Sequence, residues 1–307
     1  MKFYLFLFAN ILFISLTAIN AREVSKTTLG LPLGESVIRV NVYEKQGAQI
    51  TFFAPHHNEQ IALKSAKEAI TQKGGRLVEL ESFNQNGKPE RFLAFGFKGK
   101  SYRVDPNRIF TANGRRCAGF ENEVNAEIEN FSKRLLAIIF PENAFLPGGK
   151  RIVVAIHNNT DVDNKNYRQQ TSDLTAPAFV KNASAGRNTA SGAFEAQAAG
   201  VYLSNVEADA DNFILLSSPR YLGFFAENNF NVVVQKSVRQ IEASQCGFDD
   251  GSLSVYAGQN DIEYICLEAD AVNGGLRQKQ MTAAVYVLFT KNTEAIKQNE
   301  AQSGFNK

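Results

Sequence analysis

Short runs of apolar, β-prone residues alternate with segments of helical periodicity along most of the chain, and this alternation restricts the fold more than any other feature. Residues 48–54 read as a strand. Gln60 to Gln72 follows with Ile61, Ala62, Ala66, Ala69 and Ile70 at helical spacing, until Gly74-Gly75 stops it. Arg76 to Glu81 alternates Leu77, Val78 and Leu80 with charge, and Arg91 to Val104 has the pattern of a hairpin turning at Gly99-Lys100. Val124, Ile128, Phe131, Leu135 and Ile138 then recur every three or four residues up to Pro141, the pattern of an amphipathic helix closed by proline. Further strands are expected at 151–156, 213–217, 231–235 and 262–267. A last helix carries Met281, Val285 and Leu288 in register. Short β runs separated by helices predict a single α/β domain, with a central mixed, largely parallel sheet flanked by helices.

The ends of the chain read differently from its middle. Lys2 precedes an apolar stretch from Phe3 to Ile19, which ends at Ala21 before Arg22-Glu23. A positive start, an apolar core and a small terminal residue predict a signal peptide over residues 1–21, cleaved after Ala21. A membrane anchor is the competing reading of a stretch this long. Cleavage leaves one domain over 22–307, secreted or periplasmic and without a membrane anchor. The Ala- and Gly-rich stretch near 182–200 is expected to be a mobile loop, and the polar tail from about Asn292 to fray. Without Lys2, 32 basic residues face 31 acidic ones (33 − 1 against 31), so the charge gives no reason to invoke nucleic acid as a partner. Three cysteines, Cys117, Cys246 and Cys266, suffice for one disulfide and no framework. Cys266 lies within the apolar run Tyr264-Ile265-Cys266-Leu267 and reads as a buried small hydrophobe.

The three histidines all fall at strand ends. His56 and His57 follow Ile50-Thr51-Phe52-Phe53 within Ala54-Pro55-His56-His57-Asn58-Glu59, and His157 ends Ile152-Val153-Val154-Ala155-Ile156. Open α/β sheets bind ligands at such edges. His56, Glu59 and the distant His157 make a plausible His₂Glu set for a catalytic zinc, one ion per chain. His57 is the alternative to His56. Asn107 and Arg108, in Asp105-Pro106-Asn107-Arg108, put an amide beside a guanidinium that can grip a carboxylate through two parallel hydrogen bonds. Glu268 ends an apolar strand, where a half-desolvated carboxylate is a natural general base.

His56-His57-Asn58-Glu59, Asp105-Pro106-Asn107-Arg108, His157 and Glu268, in that order, resemble the signature of the zinc carboxypeptidase superfamily. That superfamily also includes succinylglutamate desuccinylase and aspartoacylase. The resemblance spans roughly 50–270 and implies a zinc carboxypeptidase-like fold. It implies further that His56, Glu59 and His157 hold zinc, that Asn107 and Arg108 bind a substrate carboxylate, and that Glu268 activates water. Such enzymes carry an oxyanion-stabilising arginine ahead of the Asn-Arg pair. Arg91 and Arg103 both qualify by position, and Arg115 and Arg116 lie just after the pair. Tyr256 is a candidate for the substrate-covering tyrosine of the carboxypeptidase branch, though its spacing departs from the pattern.

The expected function is therefore hydrolysis of an amide bond next to a free carboxylate, by a metallocarboxypeptidase acting on peptides or cell-wall peptides. The nearest alternative is an N-acyl amino acid deacylase of the desuccinylase and aspartoacylase type. A third, from another class, is a catalytically silent protein that binds peptide ends. The small-molecule partner is a peptide or an acylated amino acid in the two enzyme readings.

Overall fold

Ile38, Val40 and Val42 point inward while Val37 and Arg39 stay exposed, and this alternation lays Ser36–Lys45 (β2) against Ser25–Leu33 (β1) as an antiparallel hairpin. The computed structural model describes residues 23–141, 151–159, 198–204, 211–236 and 249–304, with side chains as far as Thr290. The expected signal peptide and most of the stretch near 182–200 lie outside the described residues. Residues 198–200 of that stretch belong to a strand.

In chain order there follow β3 (Thr51–Ala54), α1 (Gln60–Lys73), β4 (Gly75–Glu81), β5 (Leu93–Phe97), β6 (Lys100–Val104), α2 (Ala112–Cys117) and α3 (Asn122–Ile139). Then come β7 (Ile152–Asn159), β8 (Ala198–Tyr202), β9 (Phe213–Leu216), α4 (Leu222–Glu227), β10 (Val232–Gln235), α5 (Leu253–Gln259), β11 (Glu263–Asp270) and α6 (Gly275–Gly304). The polar stretch from Asn292, expected to fray, is helical as far as Gly304.

Among the described residues, nine strands form one mixed sheet in the order β1-β2-β4-β3-β7-β11-β9-β10-β8. Its middle four, β4, β3, β7 and β11, are mutually parallel, whereas β1, β2 and β8 join antiparallel at the edges and β9 runs antiparallel to β11. The parallel strands are buried on both faces, as the covering helices require. On one face Phe53, Val153, Ala155 and Cys266 pack with Val124, Ile128, Phe131, Leu135 and Ile139 of α3. On the other, Phe52, Val154, Ile156, Ile265 and Leu267 meet Ala62, Ala66 and Ile70 of α1 and Met281 and Val285 of α6. Each large side chain so buried contributes about 1.5–3 kcal/mol.

β5 and β6 stand apart as a two-stranded sheet. Their turn is one residue earlier than the sequence suggested: Lys98 and Gly99 both have positive φ, 49° and 72°, the geometry that suits a tight two-residue hairpin.

Candidate metal centre

Parallel neighbours β3, β7 and β11 deliver their carboxyl ends to one edge of the sheet, and the site is built there. Leaving β3, the chain turns at once: Glu59 N–H donates to His56 C=O at 3.3 Å, which brings the two side chains to the same side. Glu59 occupies the N-cap of α1 without capping it. Instead the side chain of Asn158, next to His157, accepts from Ala62 N–H at 3.0 Å, satisfying a first-turn donor and leaving the Glu59 carboxylate free for the histidines.

Glu59 lies between two imidazoles. Its Oε1 is 2.7 Å from His56 Nδ1 and its Oε2 is 3.0 Å from His157 Nδ1, the latter an ion-pair approach outside hydrogen-bond geometry. The two rings pack edge to face with centroids 5.0 Å apart. His56 Nε2 is 2.8 Å from Asp105 Oδ1. With the Nε2 proton donated to Asp105, Nδ1 turns a lone pair toward Glu59, and two acceptors at that distance repel unless a proton or a metal ion lies between them. All four side chains are less than one-tenth exposed.

Electrostatics follow from this packing. Burial raises the pKa of Glu59, but His56 and His157 together outweigh it and hold the carboxyl well below its ordinary range. Asp105 is likewise raised by burial and then drawn well below its usual value by Arg91 and His56. Burial lowers His157, and the charges of Glu59 and Glu268 reverse this, so its net shift is upward.

The donor set fits a metal ion. One carboxylate and two imidazoles bring their ligand atoms within 4.8 Å of one another, and an acidic side chain behind one imidazole fixes its orientation as metal-binding histidines require. Glu59 Oε2, buried and without a hydrogen bond, is an atom that a cation would satisfy. His57 faces elsewhere: its Nδ1 lies 2.8 Å from Ser82 C=O and its ring packs on Phe83.

Glu268 stands directly opposite His157 in the β7–β11 register. Its Oε1 accepts from the Cys266 thiol at 3.3 Å, while Oε2 is buried with no partner. Burial is the main cause that raises its pKa above the ordinary carboxylate range, and His157 offsets this in part.

Of the two expected oxyanion arginines, only Arg91 reaches these groups. It donates from Nη1 to Glu59 Oε1 at 3.2 Å and from Nε to Asp105 Oδ2 at 3.1 Å. Arg103 is more than half exposed, pairs with Glu90 and lies over the Phe92 ring. Arg115 binds Ile109 C=O and Glu129. Arg116 pairs with Asn113. Arg108 is partly exposed, 3.4 Å from Asp250, and its Nη1 donates to Asn107 C=O at 2.8 Å. Asn107 Oδ1 accepts from Leu253 N–H at 3.1 Å, so its amide oxygen is occupied in holding α5. Tyr256, in α5, packs against the apolar core.

Asp105 is the residue that sequence reasoning quoted without giving it a task. Arg91 and Asp105 flank the β5–β6 hairpin, whose end residues Leu93 and Val104 are register partners, and this pairing brings the guanidinium to the carboxylate.

No family model and no curated protein matches the chain. Solved structures do. A candidate metallopeptidase from Shewanella baltica OS155 is 12% identical with a TM-score of 0.40, covering 87% of this chain and 85% of its own. Another from Shewanella amazonensis SB2B is 11% identical with a TM-score of 0.35, covering 88% and 87%. An aspartoacylase family protein from Mesorhizobium loti is 13% identical with a TM-score of 0.35, covering 86% and 68%. The likeness is loose, and the chemistry of this site is read from its own residues.

Proposed function

We propose that this protein is a secreted or periplasmic zinc-dependent hydrolase that cleaves an amide bond adjacent to a free carboxylate, a metallocarboxypeptidase acting on peptides or cell-wall peptides. One observation carries the reading. A buried carboxylate lies within 3.0 Å of two imidazoles, one of them held by a second carboxylate, and a third carboxylate with a free oxygen stands across the strand pair.

His56, Glu59 and His157 hold the zinc in this reading. Bound there, zinc supplies a Lewis acid that polarises the scissile carbonyl and acidifies water. Asp105 keeps the His56 ring in one orientation and one tautomer. Glu268 takes the proton of the attacking water on its free oxygen and returns it to the leaving amine, a task that its raised pKa suits. Arg91 is the cation nearest the carboxylates and the candidate to stabilise the oxyanion. Arg108 recognises the substrate carboxylate, which takes the place of Asp250 on its guanidinium.

The location rests on the apolar leader-like stretch before Ala21 and on the disulfide-bonded state of Cys117, a bond suited to oxidising compartments. The test is release of free C-terminal amino acids from peptides, measured beside release of acyl groups from N-acyl amino acids. Acyl release alone makes the protein a deacylase. Turnover of neither, with zinc bound, leaves a peptide-end binder.

A further inference from the structure

Glu268, Cys266 and Tyr264 lie two residues apart on β11 and so share one face of the strand, with His157 beside them on β7. The reading above uses Glu268 and His157 and gives the thiol no task. Yet the ligand-bearing atoms of His157, Cys266 and Glu268 all lie within 4.8 Å of one another. Each side chain is more than nine-tenths buried. His157 Nε2 and Glu268 Oε2 have no hydrogen-bond partner, and Cys266 is free.

Two unpartnered polar atoms beside a buried thiol are costly unless something binds them. The sulfur's own hydrogen bond accounts for Glu268 Oε1 and leaves both orphans untouched. We propose that His157, Cys266 and Glu268 form a second cation site, selective for a thiophilic divalent ion, which overlaps the His56–Glu59–His157 set at His157. The two sets differ in character. One offers nitrogen, oxygen and nitrogen, the other nitrogen, sulfur and oxygen, and thiolate is the ligand that favours soft cations. Binding breaks the Cys266 S–H bond, releases its proton to solvent and forms a metal–sulfur bond, with no change of oxidation state. A cation there occupies the carboxylate of Glu268. In the reading proposed above, thiophilic metal in excess therefore blocks the general base.

Cadmium alone is the probe, followed by the ultraviolet sulfur-to-metal absorption of the full-length protein. Wild type develops the band, and Cys266→Ser loses it while keeping its far-ultraviolet dichroism. Glu268→Gln weakens cadmium binding by more than the roughly 10- to 100-fold that loss of an outer-shell partner costs. His56→Ala, which breaks the other set, keeps the band. That variant also separates the two ideas, because its zinc content tests the first site and its cadmium band the second. Absence of the band in wild type overturns the proposal, whatever the variants do. So does a band that survives in Cys266→Ser, or one that disappears in folded His56→Ala.

Discussion

Asp105 Oδ1 lies 2.8 Å from His56 Nε2, on the side of the ring opposite Glu59. A proton on the nitrogen that faces Asp105 leaves Nδ1, on the Glu59 side, with its lone pair for a metal. Asp105→Asn keeps the shape and removes the charge, so zinc affinity should fall by about 10- to 100-fold without loss of fold. Competition against a chromophoric chelator measures it. Unchanged affinity would mean that Asp105 serves only Arg91.

Metal content tests the donor set itself. Purified protein is expected to bring about one zinc per chain, and His56→Ala, Glu59→Ala or His157→Ala should largely abolish it, since each leaves two ligands of three. His57→Ala should retain it, because His57 binds the Ser82 carbonyl. Elemental analysis of the four variants decides, and a metal-free His57→Ala beside a loaded His56→Ala would reverse the assignment.

Glu268→Gln removes the proton acceptor and keeps the side chain's size. Turnover should drop by about 10²-fold or more while zinc content and KM stay near wild type. Steady-state kinetics on a peptide substrate gives both numbers. A KM that rises with no change in kcat would make Glu268 a binding residue.

Arg108→Lys keeps the charge and loses the planar fork. A charge-assisted hydrogen bond is worth about 1.5–3 kcal/mol, so kcat/KM should fall roughly ten- to hundredfold on free-acid substrates and little on the matching amides. Equal losses on both would show that Arg108, through Asp250 and the Asn107 carbonyl, only shapes its loop.

Asn158→Ala should cost about 0.5–1.5 kcal/mol of stability, because the Ala62 N–H of α1 loses its partly buried side-chain acceptor. Thermal unfolding of the metal-free protein reads this directly. An unchanged midpoint would show that α1 is held by its packing on the sheet and on α6.

What the chain discloses as sequence is governed by distance along it. The strand that precedes His56 and the strand that carries His157 announce themselves through Phe52-Phe53 and Ile152 to Ile156, since strands buried on both faces read as continuous apolar runs. The period-three-and-four repeat of Val124 to Ile138 gives α3 in the same way. The β1–β2 hairpin had its own signal in Ile38, Val40 and Val42, which sequence reasoning passed over. Other features carry no local signature. Nothing near Arg91 or Arg103 distinguishes them, because both lie at the open end of the β5–β6 hairpin and the choice depends on which side chain the folded pairing turns toward Asp105. The thiol of Cys266 looked like filler because it sits in an apolar run. Its relation to Glu268 and His157 exists only once β11 is seated beside β7.

The position of β11 has a consequence for the order in which the protein is made. It is the last strand among the described residues, yet it lies inside the sheet, between β7 and β9, with β10 and β8 beyond β9. His56, Glu59, Asp105 and His157 are all synthesised earlier, but the sheet cannot close around them until residues 263–270 have been added. A nascent chain therefore carries His56, Glu59, Asp105 and His157 before it carries Glu268. Truncation ahead of β11 removes more than Glu268, for it also cuts β9, β10 and β8 loose from the sheet.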